Sequence, residues 1–168
     1  ETEMQGLFKQ IENTWGKLDF LLHAIAFAPQ DDLRGRVTDC SKEGFLTAMD
    51  ISCHSFTRIA MHAEPLMKDG GCLLTTTYYG GEKVVKHYGM MGPVKAALES
   101  MVKYMAAELG EKKIRVNALS PGPVATRAAG GISNFDELLE EAQAESPQHE
   151  LICTNCIGAY AKFLVSDE

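Results

Sequence analysis

No stretch of this chain stays apolar for the ~20 residues that a membrane span requires, and its first residues lack the basic and apolar blocks of a secretory leader. Membrane insertion is therefore not expected. Basic residues are not in excess either. Against 23 Asp and Glu there are 16 Lys and Arg, and the formal net charge of -7 gives no electrostatic reason to bind nucleic acid or an anionic membrane surface. A disulfide framework is also missing. The five cysteines (Cys40, Cys53, Cys72, Cys153, Cys156) are scattered and odd in number, which suits a reducing cytoplasm. Cys153 and Cys156, in CTNC, have the spacing of a redox or zinc pair. A zinc site needs about four ligands, and no second pair or nearby histidine completes one, so no metal is expected. The pair reads instead as two small residues opening a helix. There are no internal repeats, low-complexity tracts or linkers. The glycine-rich dinucleotide fingerprint is absent too, since no G-x-G-x-x-G follows any strand. A nucleotide-binding reading has to place that loop upstream of residue 1.

What is present is the material of one soluble core. A chain of 168 residues, 45% hydrophobic and 23% charged, can bury a real interior. It begins inside a helical pattern, TEMQGLFKQIENTWG, and stops at FLVSDE. Neither end reads as a boundary, so residues 1–168 are expected to form a single partial domain of a longer protein.

Along the chain, apolar runs alternate with helical patterns. LDFLLHAIA (18–26) is short and apolar and predicts a buried strand. Residues 41–68 carry Phe45, Met49, Phe56, Ile59 and Ala63 at helical spacing, and Asp69-Gly70-Gly71 breaks the pattern. CLLTTTYY predicts a second strand, 89–109 a long helix stopped by Gly110, and 114–119 a third strand. The loop SPGPVATRAAGG leads to the acidic helix NFDELLEEAQAE, whose run from Asp136 to Glu145 is a solvated face, and a last helix covers about 155–165. This order predicts an α/β fold: a doubly wound parallel sheet covered by helices on both faces, in three αβα layers. Ligands of such sheets sit beyond the carboxyl ends of the strands, here 24–29, 75–81 and 120–126.

Chemistry-bearing residues fall in those segments. Tyr88 and Lys95 stand seven residues apart, with Tyr78 ten residues upstream of Tyr88. On a helix of 3.6 residues per turn, a spacing of seven places the phenol and the ammonium on one face, two turns apart. Both are expected to open into a common cleft at the rim of the sheet. Such a pair suits an enzyme that donates a proton while holding a cofactor. His23, His54, His62, His87 and His149 have no evident partners and read as structural or solvated, none as a base. His87, the neighbour of Tyr88, would point elsewhere on the same helix.

HAIAFAP, TTTYYGG, Tyr88-x6-Lys95 and RVNALSPGPVATRAAGGISNF together resemble the second half of a short-chain dehydrogenase/reductase, in its enoyl-(acyl-carrier-protein) reductase branch. The resemblance runs over nearly the whole chain. The wide Tyr-x6-Lys spacing with an upstream Tyr marks the branch, because most of the superfamily uses Tyr-x3-Lys with an upstream Ser. It implies a Rossmann-like fold and reduction of the trans-2 double bond of an acyl thioester by NADH, with NADPH left open. Tyr88 is implied as the donor to the thioester oxygen, a role that a nearby ammonium would strengthen by favouring the phenolate. Lys95 is implied to bind the nicotinamide ribose, and Tyr78 to line the acyl site or assist the proton path. Ala24, Ile25 and Ala26 match the adenine-ribose side of the cofactor site. Val124, Ala125, Thr126, Arg127 and Ala128 match the loop over the nicotinamide and phosphates. Ala28, Met91, Ile132 and Phe135 match substrate contacts, although plain core packing suits the last three equally well. Acyl-carrier protein as partner and a homotetramer paired through the 41–68 and 89–109 helices are also implied.

Three departures qualify the match. The upstream phosphate loop and the final strand are absent, so little or no NADH oxidation is expected from these residues alone. CTNCIG replaces an acidic helix start, leaving Asn155 as the expected cap. Two rivals stand beside this reading: a carbonyl reductase using Tyr79-x3-Lys83, or Thr75 with Tyr88, and a non-catalytic Rossmann-like scaffold.

Overall fold

A computed structural model describes residues 2–126 and 134–166. Three parallel strands, β1 (Phe20–His23), β2 (Gly71–Thr76) and β3 (Ile114–Leu119), lie side by side in chain order. Helix α1 (Thr2–Trp15) precedes β1 and ends at Gly16, whose φ of 75° makes the left-handed stop that only glycine adopts freely. Between β1 and β2 run α2 (Gln30–Arg34), α3 (Lys42–Met49) and α4 (Ser55–Ala63). Helix α5 (Met91–Leu109) links β2 to β3, and α6 (Phe135–Glu145) and α7 (Thr154–Val165) follow.

The predicted order holds, with three corrections. β1 is four residues long instead of nine, because beyond His23 the chain leaves the sheet. The expected 41–68 helix starts at a Ser41 cap, whose hydroxyl accepts from Gly44 N at 2.9 Å, but it is interrupted. Residues 50–54 form a π turn that buries Ser52 and Cys53. Third, the long helix begins at Met91, so Tyr88 and His87 precede it. Pro93 explains the start. It has no N–H to give Gly89, and its ring would strike that carbonyl in a helix extended upstream; within the first turn it costs nothing.

Right-handed crossovers between sequential neighbours place α3, α4 and α5 on one face of the sheet. There Phe56, Leu73, Val94, Leu98, Ile114 and Val116 form the core, and Phe8 of α1 joins it by stacking on His62 of α4 at 5.5 Å. On the other face, Arg115 of β3 donates to the carbonyls of Leu164 (2.6 Å) and Ser166 (2.8 Å) at the end of α7. Phe20 and Leu22 of β1, each 51% exposed, point to that second face. No helix of the described residues is long and apolar enough to cross a membrane.

Candidate functional site

β2 ends among polar groups that the interior would reject if they were unpaired. Thr77 N still donates to Leu119 O at 2.9 Å, which carries the β2–β3 pairing one residue past the strand. The Thr77 hydroxyl donates to Glu99 Oε1 at 2.6 Å. One turn before Glu99 on α5, Lys95 points at the same strand end. Its Nζ donates to the Thr76 carbonyl at 2.8 Å, its one hydrogen bond among the described residues, and the residue is 5% exposed. Burial pulls its pKa down to about 8, against the weaker pull of Cys53 and Glu99. An ammonium out of water with most of its donors unused is a costly arrangement, of the kind found where a ligand completes the site.

Tyr78 and Tyr88 meet at this end of β2. Their rings lie edge to face, 4.9 Å apart at 65°. Tyr88 is 7% exposed and sits in a turn, its N–H on Val85 O and its carbonyl taking Met91 N. His87 (φ 61°) and Gly89 (φ 53°), on either side of it, hold left-handed conformations. Gly80 lets the ring lie against the backbone, since a Cβ there would come within 2.7 Å of Tyr88 Cε1. The shared helix face is thus corrected: Tyr88 lies in the turn before α5, and its ring is placed by Tyr78 and Gly80 and not by helical spacing from Lys95. The expected help from a nearby ammonium is corrected as well. Burial, with Tyr78 and Glu99 adding to it, pushes the Tyr88 hydroxyl well above its ordinary range, and Lys95 is not among the causes. Burial raises Tyr78 too. A groove of about 600 Å³ opens beside Tyr88 between residues 80–89 and the first turns of α5, and neither Lys95 nor Tyr78 lines it.

His23 has partners that the local sequence does not show. It stands in register with Thr75 and is 1% exposed. Nδ1 is 2.9 Å from Thr75 Oγ1, and Nε2 is 2.8 Å from Ser55 Oγ. In the neutral ring one nitrogen donates and the other accepts. Burial, helped by the positive charge of Lys95, lowers its pKa to about 4. A fully apolar strand that ends in His was the available signal, because a buried imidazole requires partners. The ring is structural, as read, but it ties β1, β2 and α4 together. It carries a pH prediction. The unfolded ring takes up its proton near pH 6.5, the folded one near pH 4. Stability is therefore full above pH 6.5 and falls as pH drops toward 4, by about 2–3 kcal/mol. Urea midpoints across that window should fall more steeply for the native chain than for His23→Gln. Equal slopes would remove the ring from the account.

The rim loops are open. Ala24, Ile25 and Ala26 are exposed, and Phe27 anchors them through its N–H to Ser52 Oγ and its carbonyl from the same hydroxyl, both 2.9 Å. Ala28 packs against the core, and Met91 lies within it. Val124 is half-buried, Ala125 and Thr126 are exposed, and Phe135, half-buried, opens α6. Arg127, Ala128 and Ile132 lie outside the described residues. At α7 the expected cap is corrected: Cys153, not Asn155, occupies the N-cap, and its sulfur accepts from Cys156 N at 3.2 Å. Among the described residues no group of three or more His, Cys, Asp or Glu could hold a metal.

A family model described as enoyl-(acyl carrier protein) reductase matches residues 1–168. The chain is 46% identical over 164 residues to enoyl-(acyl-carrier-protein) reductase (NADH) 1 of Rhizobium meliloti, covering 98% of this chain and 60% of that protein. A crystal structure of the Anaplasma phagocytophilum enoyl-(acyl-carrier-protein) reductase in complex with NAD matches with a TM-score of 0.94 and 49% identity, over 99% of this chain and 64% of that one. The Bacillus cereus enzyme with NADP+ and indole naphthyridinone matches with a TM-score of 0.95 and 43% identity, over 99% and 65%. The chain spans 60–65% of the length of these relatives. Its sheet and helices have the Rossmann-like architecture of the two structures.

Proposed function

Because the chain belongs to the enoyl-(acyl carrier protein) reductase family, we propose that it reduces the trans-2 double bond of enoyl chains on acyl-carrier protein with NADH, in the elongation cycle of type II fatty acid synthesis. Residues 1–168 serve as one partial Rossmann-fold domain of the working enzyme. What supports the reading is a buried Lys95 ammonium on the Thr76 carbonyl at the end of β2, with the Tyr78–Tyr88 ring pair just beyond that strand end.

A bound dihydronicotinamide dinucleotide supplies the hydride. Lys95 fits such a group, since its buried ammonium has donors to spare for ribose hydroxyls. Ala24, Ile25 and Ala26, exposed beyond β1, with Val124, Ala125, Thr126, Arg127 and Ala128 from the segment after β3, would hold the rest of the group. Relatives crystallised with NAD and with NADP+ keep NADPH as an alternative. Tyr88, held protonated by burial, donates to the thioester oxygen as negative charge gathers there. Tyr78 fixes the orientation of that ring and, with Ala28, Met91, Ile132 and Phe135, borders the acyl chain. A homotetramer is supported by Phe45, Leu46, Met61 and Tyr104, large apolar groups left exposed on α3, α4 and α5. A cytoplasmic location is supported by five unbridged cysteines.

The carbonyl-reductase rival loses its hydroxyl. Thr75 is fully buried and bonded to His23, and Tyr79 and Lys83 flank a glycine turn instead of sharing a helix. Carried to the full length of its relatives, the protein should oxidise NADH with crotonyl thioester at least roughly 100-fold faster than with a 3-oxoacyl thioester. The opposite preference would overturn the proposal, and failure to bind either cofactor would favour the scaffold.

A further inference from the structure

The two cysteines of CTNC occupy a position that the reductase chemistry does not use. We propose that Cys153 and Cys156 form a reactive dithiol that closes to an intramolecular disulfide by exchange with low-molecular-weight disulfides such as oxidised glutathione. Of the five cysteines, these two are exposed, whereas Cys53 and Cys72 are buried and Cys40 is partly covered, with its sulfur against Met90 Sδ at 3.4 Å. Their sulfurs touch, 2.6 Å apart. Cys153 is the N-cap of α7, a 12-residue helix, and its Sγ takes the hydrogen bond from Cys156 N at 3.2 Å. That amide and the positive end of the helix both favour the thiolate over the thiol.

The two thiols are also unequal. The bond from the Cys156 thiol, together with backbone amides, draws Cys153 below its ordinary range, and the same contact raises Cys156. As the N-cap whose sulfur takes the Cys156 amide, Cys153 is the attacking sulfur and Cys156 the resolving one. The Cys153 thiolate attacks one sulfur of the small disulfide, the S–S bond breaks, and one thiolate leaves. Cys156, losing its proton, then attacks Cys153 Sγ and displaces the second thiolate. Two protein thiols are oxidised to one disulfide, and the small disulfide is reduced to two thiols that take up the protons. A metal reading has less support, because no third ligand stands near the pair among the described residues.

The test exposes the full chain to oxidised glutathione at neutral pH, with free-thiol titration and mass analysis of the peptide holding both cysteines. Two of the five thiols should disappear, with no glutathione retained. Cys156→Ser should keep one glutathione on Cys153, and Cys153→Ser should react about tenfold more slowly than the native chain. Retention of glutathione by the native chain, or reaction of the other cysteines at the same rate, would overturn the proposal. So would protection of the pair by equimolar zinc alone, which would make it a metal-binding pair. Circular dichroism of each variant separates lost reactivity from lost structure.

Discussion

Lys95→Met, in the protein at the full length of its relatives, should cut kcat/KM for NADH by about a thousandfold and at the same time stabilise the cofactor-free fold. The two effects have one cause. Lys95 keeps a charge in the interior with one carbonyl for company. Its pKa falls from 10.5 to about 8, so between those values the unfolded chain binds the proton that the folded chain gives up. Stability therefore rises with pH through that window. Below pH 8 the folded protein carries a penalty of about 3 kcal/mol, which an apolar side chain of similar length removes. In the proposed role, the ammonium offers in return hydrogen bonds to cofactor hydroxyls. Charge-assisted bonds contribute about 1.5–3 kcal/mol each, so losing two costs roughly 10²- to 10⁴-fold. Lys95→Arg should not restore function, because a planar fork does not fit where one point charge reaches Thr76. Thermal unfolding of the cofactor-free variant and NADH titration would check both halves. A variant that loses stability together with binding would make Lys95 a structural residue.

Most of the architecture was legible because it rests on local signals. The break at Asp69-Gly70-Gly71 is one: a Cβ on Gly70 would meet Lys113 O at 2.7 Å, so the entry to β2 demands glycine. The alternation of strand and helix then leaves few topologies open. What stayed hidden depends on long-range packing. The π turn at 50–54 turns Ser52 toward Phe27, and apolar periodicity cannot register one extra residue within a helix. His23 looked solitary because Thr75 and Ser55, its partners, are 52 and 32 residues away. The misplacement of Tyr88 on a helix is a different kind of error. Pro93 already forbade a helix through residue 88, and counting seven residues overrode it. The contact of Tyr88 with Tyr78 and the Gly80 turn is not readable from spacing.

Tyr88→Phe is the second large effect: kcat with an enoyl thioester should fall by about 10²- to 10³-fold while the substrate KM changes little. The ring of phenylalanine keeps the edge contact with Tyr78 and still fits over Gly80, so packing is preserved and only the donor is lost. A donor that matters when negative charge develops on the thioester oxygen acts on the transition state and leaves ground-state binding alone. Burial adds a further expectation. Because the hydroxyl is pushed well above the ordinary range of a phenol, it remains a proton donor across the working range. The kcat profile between about pH 7 and 10 should therefore show no falling limb from Tyr88 in the native enzyme. Lys95 contributes its own change in that range, with a pKa of about 8 before the cofactor binds, so the two residues separate by which parameter moves. Loss of a proton from Lys95 should appear in NADH affinity, and removal of the Tyr88 hydroxyl in kcat. A Tyr88→Phe enzyme that keeps its native kcat and loses affinity alone would reduce the tyrosine to a wall of the acyl site and leave the developing charge to another donor.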